Sequence, residues 1–230
     1  MPRSINDPLT THGVKSTGFL NMLWAVKENG AVKRFVYAAS SSTYGDSKEL
    51  PKVEERIVKP LSPYAITKFN NEQYADVFGK TYGVQHIGLR YFNVFGPRQS
   101  PTGAYAAVIP LFIKAVKEGK PAYVNGNGEQ TRDFTFVENA IQANIKAALT
   151  TNEDALNTVY NVACGERTSL IELWKMVNEI AGTNMESFYR DGRAGDIQDS
   201  LAEIKKAKTK IGYNPNILLK KGMKKMFNEK

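Results

Sequence analysis

Two tyrosines in this sequence have a lysine four residues downstream, in Tyr44-Gly-Asp-Ser-Lys48 and Tyr64-Ala-Ile-Thr-Lys68. The first pair straddles a Gly-Asp turn, so its side chains need not face each other. The second follows Ser62-Pro63, a serine cap with proline at the first helical position. Tyr64 and Lys68 then share one helix face. A free tyrosine titrates near pH 10 and is almost wholly protonated at neutrality. Lowering it by about three units takes roughly 4 kcal/mol in favour of the phenolate, which a neighbouring ammonium can supply. Such a tyrosine is a general base for a hydroxyl group. A structural tyrosine beside a surface lysine arises readily by chance, so the pair carries weight only with its surroundings.

Those surroundings are legible. Arg34-Phe-Val-Tyr-Ala-Ala39 reads as a buried strand, and Ser40-Ser41-Ser42-Thr43-Tyr44-Gly45 follows it directly. Ligands of open α/β sheets sit beyond the carboxyl ends of strands, where these hydroxyls could meet a substrate hydroxyl or relay its proton to Tyr64. Further along, the pattern predicts helices over 14–29, 62–80, 105–118, 138–149 and 169–181. Strands are predicted over 85–91, 122–124, 133–136 and 159–162. Alternating strands and helices point to an α/β layer architecture with a parallel sheet. The N-terminal segment, with Pro2 and Pro8, reads as a polar loop. Gly126-Asn-Gly-Glu-Gln-Thr131 is the nearest approach to a dinucleotide-binding glycine turn. It lacks the third glycine and leads into an extended segment, where a phosphate-binding helix is required, so it is rejected as a cofactor loop.

Composition bounds the rest. No apolar run approaches the roughly 20 residues that span a bilayer, and the first residues have no signal-peptide core. Cys164 is the single cysteine, so neither an intrachain disulfide nor a cysteine metal cluster can form, and a cytoplasmic location is expected. The net charge of +8 owes much to the lysines between 205 and 225. These lack interleaved aromatics and read as the solvated face of two terminal helices, not a nucleic-acid surface.

The ordered motifs together resemble the extended short-chain dehydrogenase/reductase family of NAD-dependent epimerases and dehydratases. They are the strand with Ser-Ser-Ser-Thr-Tyr-Gly45, Leu61-Ser-Pro-Tyr64-x-x-x-Lys68, Leu89-Arg-Tyr-Phe-Asn-Val-Phe-Gly-Pro97, Gly126 to Asp133, and Arg193-Ala-Gly-Asp196. Pro2 to Pro8, Tyr37 to Gly45 and Gly103 to Pro110 are most similar to bacterial UDP-N-acetylglucosamine 4-epimerases. The resemblance implies an incomplete Rossmann-like doubly wound parallel sheet over 1–104, lacking its N-terminal strands, and over 105–230 a small α/β, mainly UDP-sugar-binding region, some segments of which return to that sheet. It implies NAD as cofactor, with Tyr64, Lys68, Tyr91 and Val94 beside it. Tyr64 would be the base, Lys68 would hold the nicotinamide ribose, and Ser40 and Ser42 would meet the sugar hydroxyl. Ser41, Asn93, Ala107 and Val108 would line the substrate, Tyr123 and Asn125 the uridine, and Arg132 and Arg193 the diphosphate. Asp196 would accept from the ribose, and Ser200 would leave room for an N-acetyl group. Where dehydratases of this family carry an Asp-Glu pair after a threonine, this sequence has Ser and Thr, which favours epimerisation.

The sequence also departs from that pattern. It contains no glycine-rich turn, and Lys15 stands where the family has an asparagine. Truncation at the N-terminus would leave the Phe35–Ala39 strand as an apolar sheet edge. A UDP-sugar-binding fragment without turnover is therefore an alternative, as is epimerisation of UDP-glucose or UDP-glucuronate. Family members are commonly homodimers through helices corresponding to 14–29 and 62–80. Neither a membrane nor a nucleic-acid partner is expected, and no metal.

Overall fold

The computed structural model describes residues 2–56, 59–102, 106–192 and 197–228. Its centre is a parallel three-stranded sheet, β1 (Phe35–Ser40), β2 (His86–Tyr91) and a later strand, Thr158–Val162, in that spatial order. Ser40, Tyr91 and Val162 lie in register at its carboxyl end. Three short strand pairs complete the described sheet structure. β3 (Val94–Phe95) pairs with β6 (Thr135–Phe136), and β5 (Thr131–Arg132) pairs antiparallel with β8 (Thr168–Ser169). β4 (Ala122–Asn125) pairs with β9 (Ser187–Arg190), which leaves Thr158–Val162 as β7. β1 has no strand on its second edge among the described residues.

The helices follow from their caps. The N-terminal residues form two short helices, α1 (Pro2–Asn6) and α2 (Pro8–His12), and not the expected loop. Each begins at a proline, whose fixed φ suits the first helical turn, and Asp7 caps α2 by accepting from the Thr10 N–H at 3.0 Å. A π-helical turn, Gly13–Thr17, leads into α3 (Gly18–Asn29), which stops at left-handed Gly30. In α4 (Pro63–Tyr82), Ser62 accepts from the Ala65 N–H as its sequence position predicts, and Gly83 ends the helix at φ 70°. α5 (Val108–Lys117), α6 (Val137–Leu149) and α7 (Leu170–Ala181) fall within a few residues of their predicted spans. Ser169 and Glu172 form a capping box on α7. α8 (Lys205–Ile211) and α9 (Leu219–Asn228) carry the C-terminal lysines, of which Lys206, Lys210, Lys220 and Lys225 pair with surface carboxylates.

Two main cores result. Ile87, Leu89, Tyr160 and Val162 of the sheet pack on Ala140, Ala143 and Ala147 of α6. The alanines let α6 lie close to the strands. The larger core joins Phe112, Leu173, Trp174 and Met223 to Phe95 and Phe136 of the β3–β6 pair. On the other face, α3 and α4 cover β1 through Leu23, Phe78, Tyr37 and Ala75.

A buried polar network ties these parts together. Arg90 of β2 makes two bonds to the Glu72 carboxylate of α4, from Nε at 2.9 Å and from Nη2 at 2.6 Å. Its Nη1 donates to the Tyr44 hydroxyl and to the Glu54 carbonyl. Tyr44 in turn donates to Asn161 of β7 at 2.7 Å, and Asn161 Nδ2 donates to the carbonyls of Lys52 and Glu203. Removing one partner of such a pair strands a charge in the interior. We predict that Arg90→Met lowers unfolding stability by ~3–5 kcal/mol in urea titrations, and that Glu72→Leu added to it costs much less than alone.

His86 gives a second expectation. Its imidazole is 2% exposed and neither ring nitrogen has a hydrogen-bond partner among the described residues, and burial pulls its pKa from 6.5 down to about 4. Below pH 6.5 the unfolded chain takes up a proton that the folded chain refuses. His86 therefore costs nothing above that pH, and its penalty grows to ~3 kcal/mol as the pH falls to 4. Buried Asp133, pushed up to about 6, acts in the opposite sense over the same window, so the bare pH profile of the protein masks both. The stability difference between His86→Leu and wild type should rise by that amount in favour of the variant between pH 7 and pH 4.

Candidate active site

The serine run leaves β1 extended and then coils into a single turn, Ser41–Tyr44. Ser40 caps it: its Oγ accepts from the Ser42 N–H at 3.2 Å and from the Ser42 hydroxyl at 2.9 Å. Thr43 donates back to the Ser40 carbonyl. Gly45 closes the turn at φ 60°, where a side chain would run into the Lys59 carbonyl. Tyr44 is in the core, where burial pushes its hydroxyl up to about 12 and Arg90 and Asn161 hold it.

Helix α4 packs against this turn and holds Tyr64 in its first helical turn. The Tyr64 N–H, one of the donors an α-helix leaves free at its start, is taken by Ser4 Oγ at 3.2 Å. The two N-terminal helices thus anchor the start of α4. Lys68 stands one turn on, its ammonium 6.0 Å from the Tyr64 ring centre and donating to the Ala38 carbonyl at 2.6 Å. Burial, with Lys15 adding repulsion, brings Lys68 down to about 8. Lys15, the residue that departs from the family pattern, therefore acts electrostatically on this lysine.

Asn93 follows β2 at φ 33°, a left-handed position that asparagine tolerates. Its amide donates to the Asp133 carbonyl, and its own carbonyl accepts from Thr135. Ser41, Asn93, Arg132 and Ser200 line one pocket, together with Lys52 and Asp199. Arg132 reaches it from β5, with Nη1 on the Thr131 and Gln198 carbonyls. Asp199 is held by the Thr131 hydroxyl at 2.7 Å. Asp133, fully buried, fixes the approach of three loops by accepting from the Cys164, Gly165 and Ala202 N–H groups.

Tyr44 also lines this pocket, whereas Tyr64, Lys68, Ser40, Ser42 and the remaining candidates lie apart from its lining. Tyr91 turns to α6, where Asn144 donates to its hydroxyl, and Val94 is in β3 paired with Thr135. Ala107 caps α5 and Val108 opens it. Tyr123 and Asn125 are on β4, with Tyr123 exposed. Arg190 of β9 donates to Asn125 Oδ1 at 2.6 Å and stands 5.9 Å from the Tyr123 ring. Tyr123 and Arg190 line a pocket of ≈460 Å³ beside α5, with Leu111, Phe112, Ala115 and Pro121. Arg193 and Asp196 lie outside the described residues. The Gly126–Gly128 turn opens into β5 and not into a helix, as its sequence requires.

Sequence reasoning missed Lys52, Asp199 and Arg190. The first two had no motif, and Arg190 is placed by β9, a strand the pattern did not reveal. A strand pair joining residues 65 positions apart gives no local signal.

The chain is similar to the UDP-N-acetylglucosamine 4-epimerase of Methanobrevibacter ruminantium, solved with UDP-N-acetylmuramic acid, with 35% identity and a TM-score of 0.93 over 98% of this chain and 71% of that one. It is also similar to the UDP-glucose 4-epimerase of Thermotoga maritima, solved with UDP-glucose, with 32% identity and a TM-score of 0.93 over 98% of this chain and 72% of that one. The UDP-glucose 4-epimerase of Thermus thermophilus, solved with NAD, gives 31% identity and a TM-score of 0.87 over 98% and 72%. Two curated relatives are longer still, the chain spanning 65% and 59% of their lengths. The NAD dependent epimerase/dehydratase family matches residues 1–163, which is most of the sequence and includes the serine turn, Tyr64, Lys68 and Asn93. On this match and on the fold it shares with those enzymes, the chain belongs to the NAD dependent epimerase/dehydratase family.

Proposed function

We propose that this chain carries the proton-transfer and sugar-nucleotide sites of a UDP-hexosamine 4-epimerase, interconverting UDP-N-acetylglucosamine and UDP-N-acetylgalactosamine. The observation that carries the reading is the pocket in which Ser41, Asn93, Arg132 and Ser200 converge from four separate segments. Residues 1–104 would supply the hydroxyls and the tyrosine–lysine pair, and 105–230 most of the nucleotide contacts.

In this reading the Arg132 guanidinium faces the diphosphate, whose paired oxygens suit its forked donors. Tyr123 and Asn125 meet the uridine, Tyr123 from the lining of the larger pocket and Asn125 through its bond to Arg190 of that lining. Tyr64 takes the proton from the sugar 4-hydroxyl and returns it, and the linked Ser40 and Ser42 hydroxyls hold that oxygen or pass the proton on. Lys68, drawn down to about 8 by its surroundings, is a cation at the pH where the enzyme would work. It stands one helical turn from Tyr64, 6.0 Å from the ring.

NAD fits at one end of this site. Lys68 uses one ammonium proton on the Ala38 carbonyl, which leaves donors for a ribose diol. Tyr64, Lys68, Tyr91 and Val94 would hold the nicotinamide half. When bound, NAD would supply a hydride acceptor for sugar carbon 4 and return the hydride to the other face.

A second reading, UDP-sugar binding without turnover, is favoured by the Gly126–Gly128 turn, which is the nearest glycine turn in the chain and leads into a strand. UDP-glucose and UDP-glucuronate are the alternative substrates. α3 and α4 present Met22, Trp24, Tyr74, Val77 and Tyr82 to solvent, which supports a homodimer through these helices.

The chain incubated with NAD and UDP-N-acetylglucosamine should give the anomeric proton signal of UDP-N-acetylgalactosamine. Tyr64→Phe should lower that rate by about 10²-fold or more while still binding the nucleotide sugar. Binding with no product from the wild-type chain would select the second reading, and neither binding nor product would contradict both.

A further inference from the structure

Lys52 lines the same pocket as Ser41, Asn93 and Ser200, yet nothing above gives it a task. The residue is 4% exposed. Its backbone is locked in place: its N–H donates to the Leu201 carbonyl, and its carbonyl accepts from the Glu203 N–H and from Asn161 Nδ2. These bonds hold the 47–56 segment to the chain just after Ser200, and they do not involve the side chain. The ammonium itself makes one hydrogen bond among the described residues, to the Ser47 carbonyl, and no ion pair. Two of its three protons are left for something else.

We propose that Lys52 is a specificity-determining residue whose ammonium donates to the carbonyl oxygen of an N-acyl group on the bound hexose. The inference rests on the proposed function and names the group that the pocket selects. Two features favour a neutral carbonyl over a sugar carboxylate. Asp199 stands on the wall of the same pocket and Asp46 and Glu49 lie within electrostatic reach, so anionic groups already surround Lys52. A sugar carboxylate would face Asp199. Ser200, the neighbour of Asp199, is small enough to leave an acyl methyl room beside it. A hexose with a plain hydroxyl in place of the acyl group brings no carbonyl to the ammonium, so the contact discriminates between the two.

The test compares dissociation constants of UDP-N-acetylglucosamine, UDP-glucose and UDP-glucuronate, measured by calorimetry on the wild-type chain, Lys52→Met and Lys52→Arg. A hydrogen bond from a charged donor corresponds to roughly tenfold in affinity. The wild type should prefer the N-acetyl sugar over UDP-glucose, Lys52→Met should reduce that preference by about tenfold, and Lys52→Arg should keep most of it. Equal weakening of all three ligands in Lys52→Met would show that the side chain only supports the loop at Ser47, and would overturn the proposal. So would an unchanged preference, or a wild type that binds UDP-glucuronate more tightly than the N-acetyl sugar. A wild-type chain that binds none of the three would overturn this inference together with the proposed function. Binding of all three with preference unaltered by the variants would overturn this inference alone.

Discussion

The Arg90 guanidinium and the Glu72 carboxylate meet at 2.6 Å with almost no access to water. Taking two such charges from solvent costs several kcal/mol each, and only good geometry and further hydrogen bonds offset it. Here Arg90 fills its remaining donor with the Tyr44 hydroxyl and the Glu54 carbonyl. Those two bonds carry its effect beyond β2 and α4. Tyr44 ends the serine turn, and Glu54 belongs to the segment that supplies Lys52. One buried cation thus sets the distance between the helix that carries Tyr64 and the turn that carries Ser40 and Ser42.

Asn161 extends the same constraint to the far end of the chain. It accepts from Tyr44 and donates to the Lys52 and Glu203 carbonyls, while its N–H is taken by Glu54. Asp133 does comparable work on the other side of the pocket, gathering the loop after β7 and the chain near Ala202 onto the strand that follows Arg132. Each hub is a short polar side chain, fully buried and fully bonded, at the carboxyl end of the sheet. Polar groups satisfied in this way specify one arrangement of loops, because any shift leaves a donor or acceptor bare in the interior. The pocket is therefore built by the core and not by the loops that line it.

Much of this was legible in the residues. Ser62-Pro63 announced its helix because capping is local chemistry. The serine run after an apolar strand and Tyr64-x-x-x-Lys68 pointed to one end of the sheet. The N-terminal segment misled because its two prolines suggest a loop, while each in fact starts a helical turn that packs on α4. Lys52, Asp199 and Arg190 were invisible for a different reason: their placement depends on contacts between segments far apart in sequence. Tyr44 and Tyr64 both precede a lysine by four residues, but the Gly-Asp turn after Tyr44 and the Ser62-Pro63 cap before Tyr64 already set them apart, and burial of Tyr44 agrees.

The account's central claim is that a sugar nucleotide occupies the pocket bounded by Ser41, Asn93, Arg132 and Ser200. The most direct measurement is a titration of the isotopically labelled chain with UDP-N-acetylglucosamine, followed by amide chemical shifts. The account predicts that the signals of these four residues move together and saturate with a single dissociation constant. Shifts confined to Tyr123 and Asn125, with the four unmoved, would contradict it.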